Sequence, residues 1–151
     1  MSRFGGQILK ATTSTTIGVA SLEAAASSPK RVALSELWLG SDAGTLGTSS
    51  FRFDITRSTT ASAGTTVTPA PLDPADLNIT AIIRSSLSAE GTTAGVIPLS
   101  IAISQQATAR WVANPGSEII IPGTASNGLI IKTPVAGNTP SFAGSLIATE
   151  L

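Results

Sequence analysis

Phe51-Arg52-Phe53-Asp54-Ile55-Thr56-Arg57 is the stretch on which the reading of this chain turns. Phe51, Phe53 and Ile55 fall on one side of an extended backbone, and Arg52, Asp54 and Thr56 on the other. A period of two is the signature of a strand with one face on a core and one toward solvent. Aromatic and β-branched residues at the inward positions suit a pleated surface.

Outward from this strand the same pattern recurs. Upstream, Arg31 to Leu39 is also β-like, but the alternation breaks around Glu36-Leu37-Trp38-Leu39. That break predicts a bulge or a strand covered on both faces. The residues from Gly40 to Gly47 carry loop chemistry throughout. Gly18 to Ala26 has helix-forming composition. It is short and lies between Thr-rich sequence and Ser27-Ser28-Pro29, so a strand through Val19 to Leu22 is expected.

Downstream, Ser58 to Gly64 reads as a polar turn and Thr65 to Thr68 as a short strand closed by Pro69 and Pro71. Leu72-Asp73-Pro74-Ala75-Asp76 reads as one helical turn, with Asp73 as N-cap and Pro74 at the first helical position. Ile79, Ala81 and Ile83 alternate, as do Ile97, Leu99, Ile101 and Ile103. Trp111 and Val112 sit in a further β segment ended by Asn114-Pro115-Gly116. Glu118 to Ile121 and Leu129 to Lys132 look like a hairpin with a long, turn-rich connection. Leu146, Ala148 and Leu151 form the expected last strand.

About eight or nine short strands, with no sustained 3.6-residue period and no internal repeat, predict an all-β fold. The expected architecture is a jelly-roll-like antiparallel β-sandwich with one short helical turn near Pro74. At 151 residues the chain suits one domain. Residues 17–151 are expected to form that sandwich. Residues 1–16, rich in Thr, Ser and Gly, are expected to be a flexible arm leading into the first strand and able to order on a neighbour.

Composition narrows the function. The chain has no Cys, no His and no Tyr. Ser-His-Asp and Cys-His catalysis are therefore excluded, as are zinc sites built on His or Cys. Nine cationic and nine anionic side chains cancel to zero net charge. Nucleic-acid binding draws its affinity from Lys and Arg on phosphates, so it is not expected. No polybasic membrane patch and no secretory leader core follow Met1, and no apolar stretch is long enough to span a bilayer. Charged residues make up 12% of the chain, about half the roughly 25% usual in soluble domains. Such a surface resists association poorly and suits contact with other protein.

Few residues carry an alternative chemistry. Asp73 and Asp76 are the nearest carboxylate pair, and glycosidases need only two, but a cap and its dipole partner account for them. Glu36 beside Trp38 resembles a sugar site, against the plainer reading of a core Trp next to a strand-edge Glu. Gly40 to Gly44 holds a single carboxylate, Asp42, which is weak for calcium. Neither a dinucleotide nor a P-loop glycine motif occurs. Asn78-Ile79-Thr80 fits the glycosylation triplet, a pattern common by chance. No cofactor, no metal and no enzymatic activity are expected. For the two tryptophans, core packing is favoured at Trp38, while core and interface stand level at Trp111.

Leu37 to Gly40, Phe51 to Arg57, Thr60 to Thr66, Thr68 to Asp76 and Trp111 to Lys132 together resemble a group of small phage-encoded β-sandwich virion proteins. The resemblance spans roughly residues 8 to 151 and rests on turn residues and strand patterns. It departs at Ile97-Pro98-Leu99. It implies a capsid cement or decoration protein on the virion surface: a homotrimer docked on the major capsid protein, holding neighbouring subunits together by added contact area. On that reading the candidate contact residues are Phe4, Gln7 and Leu9 of the arm and Trp111, Asn114 and Pro115 of the later loop. The alternative is a tail- or fibre-associated or carbohydrate-binding jelly-roll module.

Overall fold

A computed structural model describes residues 1–10, 18–42, 50–76, 78–133 and 141–151. They form strands β1 (Ser2–Lys10), β2 (Gly18–Glu23), β3 (Val32–Ser41), β4 (Ser50–Ser58), β5 (Ala63–Val67), β6 (Ala70–Pro71), β7 (Ile82–Ala89), β8 (Leu99–Ser104), β9 (Ala109–Val112), β10 (Ile119–Ile121), β11 (Gly128–Lys132) and β12 (Phe142–Glu150). The loop expected at Gly40 to Gly47 lies mostly outside the described residues.

Two antiparallel sheets face each other. Sheet I runs β10-β3-β12-β1-β6, with β9 also on β3, and sheet II runs β5-β7-β2-β11-β4-β8. With β5, β6 and β7 set aside, β1-β12-β3-β9/β10 faces β2-β11-β4-β8, which is the double-Greek-key order of a jelly roll. The segment between β4 and β8 is thus an insertion. It widens sheet II with β7 and β5 and sheet I with the two-residue β6.

The deciding strand behaves as read on its inner side. Phe51, Phe53 and Ile55 are buried. Phe142 of β12 crosses from sheet I to meet Phe51 and Phe53 edge-on, at centroid distances of 5.0 and 5.1 Å. The outer side differs from expectation, because Asp54 and Thr56 are buried too. Asp54 is ringed by Arg52 and by Ser100 Oγ. Elsewhere on sheet II, Ser62 N from the β4–β5 connection donates to the buried Glu23 at 2.8 Å. Gly91 N from the β7–β8 connection in turn donates to Ser62 Oγ. The chain therefore roofs part of the outer face of sheet II with its own connections. Among the described residues, Thr56 Oγ1 and Ser58 Oγ are buried there without a hydrogen-bond partner.

The irregularity read at Glu36 to Leu39 is a bulge. β12 pairs Ile147 with Glu36 and Ala148 with Leu34, leaving Ser35 as the extra residue. Val19 to Leu22 is a strand, as expected.

Four expectations are corrected. Residues Ser2–Lys10 are no arm: all nine pair with β12, because Phe4 and Ile8 alternate into the core and are fully buried. The rest of the expected arm, residues 11–16, lies outside the described residues. The expected hairpin of Glu118 to Ile121 with Leu129 to Lys132 is a crossing between sheets. β10 joins β3 in sheet I, while β11 joins β2 and β4 in sheet II. Two short, wholly apolar runs carry no signal of which sheet each will enter. Near Pro74 there is a single turn and no helix. Asp73 Oδ1 accepts from Ala75 N as a cap would, and Asp76 N closes on the Asp73 carbonyl at 2.9 Å. Trp38, finally, points outward at 38% exposure.

At the chain end, Glu150 is buried beneath Lys30 and the 78–81 segment. It accepts from Lys30 Nζ at 3.0 Å, from Thr80 N and Oγ1 at 2.6 and 2.9 Å, and from Ala81 N. No helix among the described residues is long and apolar enough to cross a membrane.

Candidate interaction surface

Sheet I turns an uncovered face outward, and its register places the residues on it. Residues opposite one another in antiparallel strands share a face. Gln7 stands opposite Ser145, Ser145 opposite Trp38, and Trp38 opposite Arg110. The next row runs Gly5, Ile147, Glu36 and Val112. Leu9 stands opposite Ala143. Leu72 is tied to this face by its N–H to the Arg3 carbonyl at 2.9 Å. Leu9, Trp38, Leu72 and Val112 are all exposed, from 37% at Leu9 to 52% at Val112.

Trp38 is held rigidly. Its Nε1 donates to Glu36 Oε1 at 2.6 Å, and Arg110 Nε donates to the same oxygen at 2.7 Å. The Arg110 guanidinium lies over the indole, 4.7 Å from its centroid, a cation–π arrangement. The Arg110 hydrogen bond holds the Glu36 carboxyl below its ordinary value. Its burial opposes this, and the Trp38 bond and the charges of Arg110 and Arg3 add to the lowering. Glu36 is therefore an ionised acceptor that fixes an aromatic and a cation on an open sheet.

Beside this triad lies a cleft of about 330 Å³, lined by Arg3, Ser35, Glu36, Val112, Pro115 and Glu118 among others. The local sequence explains it. β9 and β10 run in one direction along the same edge of β3, and Ala113 to Glu118 bulges out between them. Asn114-Pro115-Gly116-Ser117 is a type II turn, with Ser117 N on the Asn114 carbonyl at 2.8 Å and Gly116 at φ +84°. Opposite it, the extra residue Ser35 accepts from Ala113 N at 2.9 Å. Bulge and turn together open the cleft.

The candidate contact residues separate on this geometry. Gln7 and Leu9 are on the open face, and Asn114 and Pro115 are exposed in the turn. Phe4 is fully buried, and Trp111 packs half-buried on the core opposite Leu37. Trp38, Arg110 and Val112 were missed. A signal for Trp38 existed: with Leu37 and Leu39 inward, the residue between them must point out.

Among the described residues, Glu23, Glu36, Asp54, Glu90 and Glu150 sit in ion pairs. Glu36 and Glu118 both line the cleft, and the Glu36 carboxyl is held below its ordinary value. Among the described residues no three acidic, His or Cys side chains gather as a metal site. Comparison of the chain with protein-family models, with curated proteins and with solved structures finds no match.

Proposed function

We propose that this protein is a virion structural protein, a capsid cement or decoration protein. It sits on the outside of a phage head, docks on the major capsid protein and works as a homotrimer. The observation that carries the reading is the asymmetry of the two outer faces. Sheet II is partly roofed by its own connections, whereas sheet I displays Leu9, Trp38, Leu72 and Val112. A preset Trp beside an Arg is the residue chemistry of an interface centre. The low charge of the chain supports the same conclusion. Stabilisation of the shell then comes from area buried across subunit boundaries.

The test is co-sedimentation with empty capsids. Trp38→Ser is expected to weaken binding at least about tenfold, with the fold intact because the side chain is exposed. Val96→Ser, exposed at 52% on a connection of sheet II, is expected to bind as the parent does. Equal capsid occupancy by Trp38→Ser and the parent would sink the proposal. Removing residues 1–10 is no test of binding, since it deletes a strand from within sheet I.

The carbohydrate-binding reading has one observation in its favour, an exposed Trp beside Glu36 and a cleft. Against it, the Arg110 guanidinium occupies the face of the indole on which a sugar would stack.

A further inference from the structure

Each sheet has two edges, and three of the four are blunted. β6 is two residues long, flanked by Pro69 and ending in Pro71. The β9/β10 edge is broken by the loop at 113–118 and stopped by Pro122. β5 is paired through a register shift between Ala63 and Thr65. Such devices keep sheet edges from pairing with other chains. β8 has none. It runs Leu99-Ser100-Ile101-Ala102-Ile103-Ser104 in unbroken register on β4, with no charge and no proline. Among the described residues no strand pairs with its outer side.

The direction of its free backbone groups follows from β4. Arg57 N donates to the Val96 carbonyl, and the Arg57 carbonyl accepts from Ala94 N. Odd-numbered residues of β4 therefore face the β8 side, and their partners Leu99, Ile101 and Ile103 face back. Ser100, Ala102 and Ser104 direct N–H and C=O groups outward. The Ser104 carbonyl also takes Ala107 N at 3.0 Å, which begins the turn that ends the strand.

The sequence of this edge is a palindrome, Ser-Ile-Ala-Ile-Ser, centred on Ala102. We infer that β8 pairs antiparallel with β8 of a second copy, about a two-fold axis through Ala102. An isologous contact requires a self-complementary patch, and the palindrome supplies one. Ala102 meets Ala102 of the other copy and Ser100 meets Ser104. Ile101 stands opposite Ile103, on the inner face where each already packs half-buried beside Phe53 and Phe51. The Phe–Ile rows of the two copies thereby become continuous across the seam. Such a contact joins chains in pairs and is independent of what sheet I binds. Where trimers stand side by side, it ties one to the next.

Because the chain has no Cys, single introduced thiols report the contact. Ala102→Cys, Ser104→Cys and Thr66→Cys are all at exposed positions, the last on the opposite edge of sheet II. Each is treated with a short bis-maleimide and read as two-chain product on a denaturing gel. Ala102→Cys is expected to cross-link at least tenfold faster than Thr66→Cys. Ser104→Cys alone is expected to be slow, since two copies of Ser104 lie roughly 14 Å apart along the strands. Mixing it with Ser100→Cys is expected to restore the product. An Ala102→Cys rate no higher than that of Thr66→Cys overturns the pairing. A Ser104→Cys rate equal to that of Ala102→Cys overturns the register.

Discussion

Glu150 concentrates more polar bonds than any other side chain described above, and its acid behaviour follows from them. Burial alone would raise its pKa, but the bonds from Lys30, Ala81 and Thr80 outweigh burial and hold it below the ordinary 4.5. The folded carboxyl is thus more acidic than the unfolded one. Its stabilisation is full above the unfolded value and is lost as pH falls through the folded one. Chemical denaturation at stepped pH is expected to show a fall in stability below about pH 4.5. Glu150→Gln is expected to flatten that limb and to cost about 1–3 kcal/mol at neutral pH, where a bonded charge is lost. An acid limb unchanged in the variant would place the effect elsewhere. The residue pattern gave no sign of this clamp. An inward carboxylate in a strand becomes legible only once the 78–81 segment is known to lie over it.

Among the strands, β12 is held most closely. It lies between β1 and β3 along its full length, and a Cβ on Gly144 would stand 2.0 Å from the Trp38 carbonyl oxygen. Backbone, not a flexible side-chain tip, blocks that space. Gly144→Ala is therefore expected to destabilise by about 1–3 kcal/mol, read as a shifted urea midpoint with an unchanged slope. An unshifted midpoint would show that β3 and β12 can part without cost.

Elements also show what period-2 reading can and cannot reach. Phe51, Phe53 and Ile55 declared their strand and its inner face, and the broken alternation at Glu36 declared the bulge. Trp38 was misplaced because size and apolarity outweighed its position between two inward leucines. The runs at 119–121 and 129–132 were legible as strands and illegible as to sheet, since the crossing is settled by packing and not by pattern. The open face of sheet I was legible only in halves. Pro115 and Asn114 announced a turn, while the link from Glu36 to Arg110 spans 74 positions in sequence.

At the scale of the whole molecule, low charge is the dominant property. The proposed interface, built on Leu9, Trp38 and Val112 with Arg110 already paired to Glu36, offers salt little to screen. Capsid binding is accordingly expected to weaken by less than about tenfold between low and high ionic strength, measured by co-sedimentation across a salt series. A steep loss would mean that charge steering governs docking, contrary to the surface described.

The topology of sheet I also sets the timetable of synthesis. β1 and β3 are never neighbours. The place between them is filled by β12, which leaves the ribosome long after both. Until then, β1 and β3 each hold a sheet edge with no partner on that side. At about 5–20 residues per second, the nascent chain waits for several seconds in this state. The sheet closes only once Phe142–Glu150 arrives, so a chain truncated before Phe142 cannot join β1 to β3.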